Sequence, residues 1–331
     1  MSDMRRFLFP TIFVSIFLLV SCGGETPRPA IPEPALEVPT LAAPMPAPEF
    51  LVIGYFPDYR ELNPAWAGHL TDLIYFSAEP RADGSLDASR LTDETWLALA
   101  ALQEQGLRVH LTVGGWGRDS DFAELTADPQ ARQNFVSNLL DFASAHKLAG
   151  VDFDWEFPQT DVEFENYIGF LSEVKSAFSQ QGLIVSVALP AEASFPLGKF
   201  AAVDRVHIMS YDRGERHATY EQAVADVRSF LDAGVAPSQL ILGLPLYGRE
   251  VAAFDNSLTY AEIMAAYSPA PEVDEVNGIY FNGLGTIRRK VCYGMEAGLG
   301  GFMVWELAQD TNDSTSLLDQ IFQLAKGMQP C

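Results

Sequence analysis

The sequence predicts an α/β protein whose folded part is a single (β/α)8 TIM barrel, and three observations carry that expectation. Between residues 49 and 331 eight short apolar runs alternate with stretches of helical period, the pattern of a parallel sheet with helices between its strands. Hydrophobic residues make up 48% and charged residues only 20%, so the chain can bury a large core, and α/β barrels commonly use about 250 residues as one domain. No GxGxxG or GxxxxGK[ST] follows any of the runs, which weakens the competing architecture, an open doubly wound sheet with a phosphate site.

The elements follow in chain order. Arg5 and Arg6 precede an apolar run from Phe7 to Val20 that ends Leu19-Val20-Ser21-Cys22. That run is shorter than the roughly 20 residues a spanning helix needs, so residues 1–21 read as an export signal. The ending resembles a bacterial lipobox, which implies lipidation of Cys22 and a location in the cell envelope, on the outer membrane or cell surface. An ordinary signal peptide or a membrane stub, with an incidental cysteine, is the alternative. Residues 22–48 form a spacer, because Thr26–Pro48 holds eight of the 21 prolines and favours extended polyproline II. The barrel occupies 49–331, with strands expected at 50–55, 72–76, 108–113, 150–155, 183–188, 205–209, 240–245 and 300–305. One helix announces its start at Asp128-Pro129, a cap followed by a proline in the first turn, with Phe135, Leu139 and Phe142 as its apolar face.

Composition also excludes partners. A net charge of −23 opposes binding to a phosphate backbone, so no nucleic acid is expected, and a monomer touching a membrane only through its lipid is the expectation. The histidines, His69, His110, His146, His207 and His217, have no metal-ligand spacing, and no metal or cofactor is expected. If Cys22 is lipidated, Cys292 and Cys331 are left in an oxidising compartment as a candidate disulfide, with two free thiols as the alternative.

The most informative segment is Gly150-Val151-Asp152-Phe153-Asp154-Trp155-Glu156-Phe157-Pro158. Side chains alternate along a strand, so Asp152, Asp154 and Glu156 share one face and Val151, Phe153 and Trp155 the other. With the apolar set outward against helices, the acids line the barrel mouth. Three carboxylates about 6–7 Å apart in a confined site cannot all ionise freely, so at least one proton is retained near neutrality, as a general acid requires. A solvated edge strand would not place Val, Phe and Trp in strict alternation with three acids.

This segment resembles the DGxDxDxE signature of glycoside hydrolase family 18, the chitinases and their relatives, except that Ala149 stands where the family has its first Asp. Four further motifs occur in family order. They are Thr112-Val113-Gly114-Gly115-Trp116, Met209-Ser210-Tyr211-Asp212, Gly243-Leu244-Pro245-Leu246-Tyr247-Gly248-Arg249 and Gly300-Gly301-Phe302-Met303-Val304-Trp305. The resemblance implies that Glu156 protonates the glycosidic oxygen and that Asp154 orients the substrate's 2-acetamido group, which attacks the anomeric carbon with retention. It implies that Asp152 shares a proton with Asp154, above hydroxyl donors at Tyr55 and Thr112. Tyr211 would bond the acetamido oxygen, Asp212 and Met209 would line the same subsite, and Trp305 would form the floor under the sugar, where an indole suits apolar C–H faces. Phe76, Trp116, Tyr247 and Arg249 are further cleft candidates. Gly115 would let the third strand's loop approach the substrate, whereas Trp66 and Trp96 carry no motif.

The implied substrate is a polymer of β-1,4-linked N-acetylglucosamine. About fifty residues separate Glu250 from Gly300, too few for the sizeable insertion many deep-cleft members carry there, which implies an open groove suited to internal cleavage. Two other readings fit the motifs: an endo-N-acetylglucosaminidase acting on glycoprotein or peptidoglycan glycans, and a non-catalytic glycan-binding barrel. Retention of Glu156 speaks against the last.

Overall fold

A computed structural model describes residues 50–331 apart from 193 and 194. The export signal, Cys22 and the proline-rich spacer lie outside the described residues. Eight parallel strands are present: β1 (Leu51–Pro57), β2 (Asp72–Pro80), β3 (Arg108–Gly114), β4 (Gly150–Asp154), β5 (Ile184–Pro190), β6 (Arg205–Met209), β7 (Leu240–Pro245) and β8 (Gly301–Trp305). Each pairs with the next, and β8 pairs back onto β1 with Leu51 opposite Gly301, so the sheet closes and the open-sheet alternative falls away. Every run expected from sequence overlaps one of these strands and starts within one residue of it, although β2 continues to Pro80.

Eight α-helices cover the described residues: α1 (Asp93–Glu104), α2 (Phe122–Ala127), α3 (Pro129–Ala145), α4 (Asp161–Ser179), α5 (Tyr220–Asp232), α6 (Tyr260–Tyr267), α7 (Leu284–Glu296) and α8 (Leu317–Ala325). None is long and apolar enough to cross a membrane. Their starts are encoded locally. Asp128 caps α3 by accepting from Gln130 N at 2.8 Å, with Pro129 in the first turn, and α4, α5 and α6 open with capping boxes at Thr160/Glu163, Thr219/Gln222 and Thr259/Glu262. On α3, Phe135 and Leu139 are buried, and Phe142 is half-buried against His146.

The core is divided by strand alternation. Val151, Phe153 and Trp155 point outward and are buried with the helices, where Phe153 meets Phe170 edge-on at 5.3 Å and Trp155 stacks on Phe122 at 5.4 Å. Inside, Ile53, Tyr55, Ile74, Phe76, Ile241 and Met303 form a second cluster. Below it, Asp72 is buried at the N-terminal end of the barrel and bonded by Arg108, His110 and Arg205 at 2.7–3.0 Å. Gly150 is required beside this layer, since a Cβ there would come within 2.3 Å of Ile184 O and 2.8 Å of His110 Nδ1. Trp66 packs on Phe56 and Trp96 on His146, both outside the barrel mouth.

Between β7 and β8 the chain builds a small sheet. Tyr247–Glu250 pairs antiparallel with Ala253–Thr259 and with Ile279–Tyr280, which in turn pairs with Glu275–Val276, and α6 packs alongside. The insertion is reduced but ordered. On α7, Cys292 is joined to Cys331 in a disulfide, with Cα atoms 5.5 Å apart.

Candidate active site

At the C-terminal mouth of the barrel, where strand ends and loops converge, lies a cleft of about 590 Å³. Alternation on β4 directs Asp152 and Asp154 inward, and Glu156 follows at the strand's exit. Asp152 is completely buried, and its partners come from strands in register with it. Thr112 on β3 and Ser186 on β5 lie directly opposite it, and their hydroxyls donate to its carboxylate at 3.4 and 2.6 Å. From across the barrel, the Tyr55 hydroxyl donates at 2.8 Å and also lies 2.7 Å from His207 Nδ1.

Asp154 is nearly as buried, yet its Oδ1 has no hydrogen-bond partner among the described residues. Burial first, then the charges of Glu156, Asp152 and Asp119, raise its carboxyl well above the usual carboxylate range. Glu156 is half-buried at the cleft surface. Burial pushes its carboxyl up to about 7, reinforced by Asp119 and Asp212 and opposed by a backbone hydrogen bond at Trp116. Asp119 lies close because its Oδ2 accepts the Glu156 backbone N–H at 2.9 Å. A carboxyl that keeps its proton to near neutrality beside a solvent-reached cleft is fitted to donate that proton and later take it back.

The rest of the cleft is built around this pair. Trp305 is half-buried at the end of β8, with Phe76 edge-on at 4.8 Å and Tyr55 at 5.7 Å supporting it. Met209, Met303 and Tyr211 line the interior side, and Trp116, 79% exposed, stands at the rim. Burial and the surrounding carboxylates raise the Tyr211 phenol well above its ordinary value, so it remains a donor throughout the working range. Asp212 has a left-handed backbone, φ +60°, and is fixed there by Arg249 at 2.5 and 2.8 Å and by the Tyr247 hydroxyl at 2.7 Å. The small sheet after β7 contributes Arg249, Phe254 and Asp255 to the wall.

Tyr55, Phe76, Trp116, Asp154, Glu156, Met209, Tyr211, Asp212, Arg249 and Trp305 all line the cleft. Two other sequence candidates lie behind it. Gly115, at φ +99°, is crowded by Phe76, since a Cβ there would sit 2.1 Å from that ring, so its backbone makes room for Phe76 and does not itself line the cleft. Tyr247 is buried and stacks on His217 at 5.1 Å, reaching the cleft through its hydroxyl on Asp212 and its ring beside Tyr211 and Arg249. Ala149 precedes the ladder, with its N–H on Val109 O and its carbonyl accepting from Ile184 N. Sequence reasoning missed Asp119, Ser186 and His207. Ser186 and His207 could have been flagged, because each lies at an even spacing from an inward residue of its own strand, Ala188 and Met209. Asp119 lies on a loop and carried no such signal.

The chain as a whole is similar to known proteins. The chain is 27% identical to chitotriosidase-1 of Mus musculus over 272 residues, covering 62% of this chain and 59% of that protein. Across the curated relatives first matched, it spans between 12% and 79% of their length. Among solved structures it superposes on the family 18 chitinase ChiB of Flavobacterium johnsoniae at 26% identity and a TM-score of 0.73, covering 85% of this chain and 95% of that one. A family 18 chitinase of Cycas revoluta, solved with (GlcNAc)4, matches at 25% identity and a TM-score of 0.73, covering 84% and 100%. The model of the family described as glycosyl hydrolases family 18 matches residues 51–310. With the acid ladder of β4 at the mouth of a closed eight-stranded barrel and that match over most of its length, the chain belongs to glycosyl hydrolase family 18 and is a glycoside hydrolase.

Proposed function

We propose that this enzyme hydrolyses the β-1,4 linkages between N-acetylglucosamine units in chitin and its oligosaccharides, with retention of configuration. The observation that carries the reading is the pairing of a Glu156 carboxyl pushed up to about 7 with a buried, proton-retaining Asp154 whose Oδ1 has no partner among the described residues. Glu156 donates its proton to the glycosidic oxygen as that bond breaks. The acetamido carbonyl oxygen of the same sugar attacks the anomeric carbon, so no protein nucleophile is needed, and this is why the carboxylate spacing does not report the stereochemistry here. Asp154 accepts the acetamido N–H and Tyr211 donates to its oxygen, which together hold the nucleophile in line. Glu156, now a carboxylate, takes a proton from the water that opens the cyclic intermediate.

The apolar platform of Trp305, Phe76 and Met303 supports a sugar ring as floor, and Trp116 at the rim extends it. Internal cleavage is supported by the modest wall between β7 and β8. Anchoring through a lipid on Cys22 rests on the Leu-x-Ser-Cys ending alone.

The test uses chitin hexaose and its fully deacetylated counterpart. The acetylated oligomer should be cleaved with the β-anomer appearing first by NMR, and the deacetylated one should not be cleaved. Glu156→Gln should bind hexaose within a few-fold of wild type while losing more than about 99% of turnover. Equal rates on the two oligomers would refute substrate assistance. Cleavage of a high-mannose glycopeptide in preference to hexaose would move the substrate to glycoprotein glycans.

A further inference from the structure

A group beneath the ladder has no part in the mechanism above. His207 is completely buried on β6, opposite Ala188 of β5 and Ile241 of β7, and it faces the barrel axis. Its Nδ1 is 2.7 Å from the Tyr55 oxygen and 3.4 Å from Asp152 Oδ1, while its Nε2 is buried without a partner among the described residues. The Tyr55 oxygen is also 2.8 Å from Asp152 Oδ2. Tyr55 has one hydroxyl proton for two short contacts, so a second proton must come from one of its neighbours.

There are two ways to supply it with a neutral ring. In the first, His207 carries its proton on Nδ1 and donates to Tyr55, and Tyr55 donates to an unprotonated Asp152. Each short contact then contains one proton, and only the Nε2 lone pair lacks a partner. In the second, the proton is on Nε2, which has no acceptor among the described residues. Tyr55 must then donate to His207, Asp152 must be protonated to bridge its own 2.8 Å contact, and a buried N–H is left unsatisfied, which disfavours this arrangement. Asp152 already accepts from Ser186 and Thr112, so its surroundings are those of a carboxylate.

We propose that His207 is a positioning residue of the catalytic ladder: as the Nδ1–H tautomer it turns the Tyr55 hydroxyl onto Asp152, which keeps Asp152 unprotonated and confines the retained proton to Asp154 and Glu156. This refines the sharing between Asp152 and Asp154 that the family resemblance implied. The groups acting on the ring are Asp152 on β4 and Tyr55 on β1, with Arg205 on its own strand, His110 on β3 and Asp72 on β2 further down. Burial outweighs the attraction of the two carboxylates and pushes the imidazole down to about 4, so the ring is neutral wherever the ladder works. The inference rests on the proposed function for its effect on turnover, but the tautomer does not depend on it.

Two measurements on the full chain decide it. In the 15N-labelled wild type at pH 7, a long-range 1H–15N correlation of His207, assigned through its bonds to the backbone, should show Nδ1 protonated and Nε2 bare. An Nε2–H tautomer or an imidazolium would overturn the proposal. In kinetics on chitin tetraose, His207→Leu should lower kcat about tenfold with KM within threefold, the worth of one buried hydrogen bond. His207→Asn, which returns an N–H donor near the Nδ1 position, should restore kcat to within about twofold. Equal losses in the two variants, or none in either, would overturn the positioning role. If the wild type cleaves no chitin oligomer, the functional reading fails and the tautomer still decides this one.

Discussion

Glu156→Gln should stabilise the enzyme, and by an amount that grows with pH. Glu156 is held near 7 in the folded protein, first by burial and then by Asp119 and Asp212, against an ordinary value of 4.5. A carboxyl whose folded value is raised binds its proton more tightly in the native than in the unfolded state. Its contribution is therefore present below 4.5 and is lost as pH rises through the window from 4.5 to about 7, at about 1.4 kcal/mol per pH unit. The full loss is about 3 kcal/mol by pH 8 and about 1 kcal/mol at pH 5, which the partial exposure of the side chain reduces somewhat. Glutamine titrates nowhere in this range, so the variant escapes the loss. With an unfolding entropy of about 2.1 cal/mol/K per residue over the described domain, the variant's Tm should exceed wild type by about 4 °C at pH 8 and only about 1 °C at pH 5. Differential scanning calorimetry at the two pH values is the assay, and pH 5 keeps the protein above its pI near 4.4. An offset of the same size at both pH values would refute the reasoning, because the gain would then come from packing and not from the proton.

Three other changes probe the same architecture. Asp119→Asn keeps an acceptor for the Glu156 backbone N–H but removes a charge that raises both Glu156 and Asp154, so the alkaline limb of kcat/KM should move down by about one pH unit; an unmoved limb would remove Asp119 from the electrostatics of the site. Gly115→Ala would set a Cβ 2.1 Å from the Phe76 ring at φ +99°, and urea unfolding should show a loss of about 2–3 kcal/mol, whereas less than 1 kcal/mol would mean Phe76 yields freely. Ala149→Asp should leave an active enzyme within about tenfold of wild type, because the side chain at 149 alternates away from the inward direction that Gly150, Asp152 and Asp154 share; an inert wild type that gains activity on this change would contradict that placement.

Local patterns in the chain determined the strands, several helix starts and the face of β4 that carries acid. The reason is that alternation and capping act over two to four residues. Val151, Phe153 and Trp155 could only be outward if Asp152 and Asp154 were inward, and the helix at Asp128-Pro129 needed nothing beyond its own first turn. Family motifs extended that reading to Trp305, Tyr211, Asp212 and Arg249, which the barrel brings to one cleft from β6, β7 and β8.

Beyond Tyr55 and Thr112, which the family resemblance anticipated beneath Asp152, what surrounds each acid was decided by tertiary structure. Closure of the sheet fixes which residues of β3 and β5 stand level with Asp152, and so selects Thr112 and Ser186 as its donors. The same closure brings Tyr55 and His207 together across 152 positions of sequence, a meeting no local pattern encodes. Asp119 reaches the Glu156 backbone from a loop, Gly115 owes its place to a ring 39 residues earlier, and Cys331 finds Cys292 because α7 ends beside the chain's last residues. The desolvation that lifts Glu156 and Asp154 likewise belongs to the assembled barrel, since burial, the largest cause of both shifts, does not exist until the strands close around them.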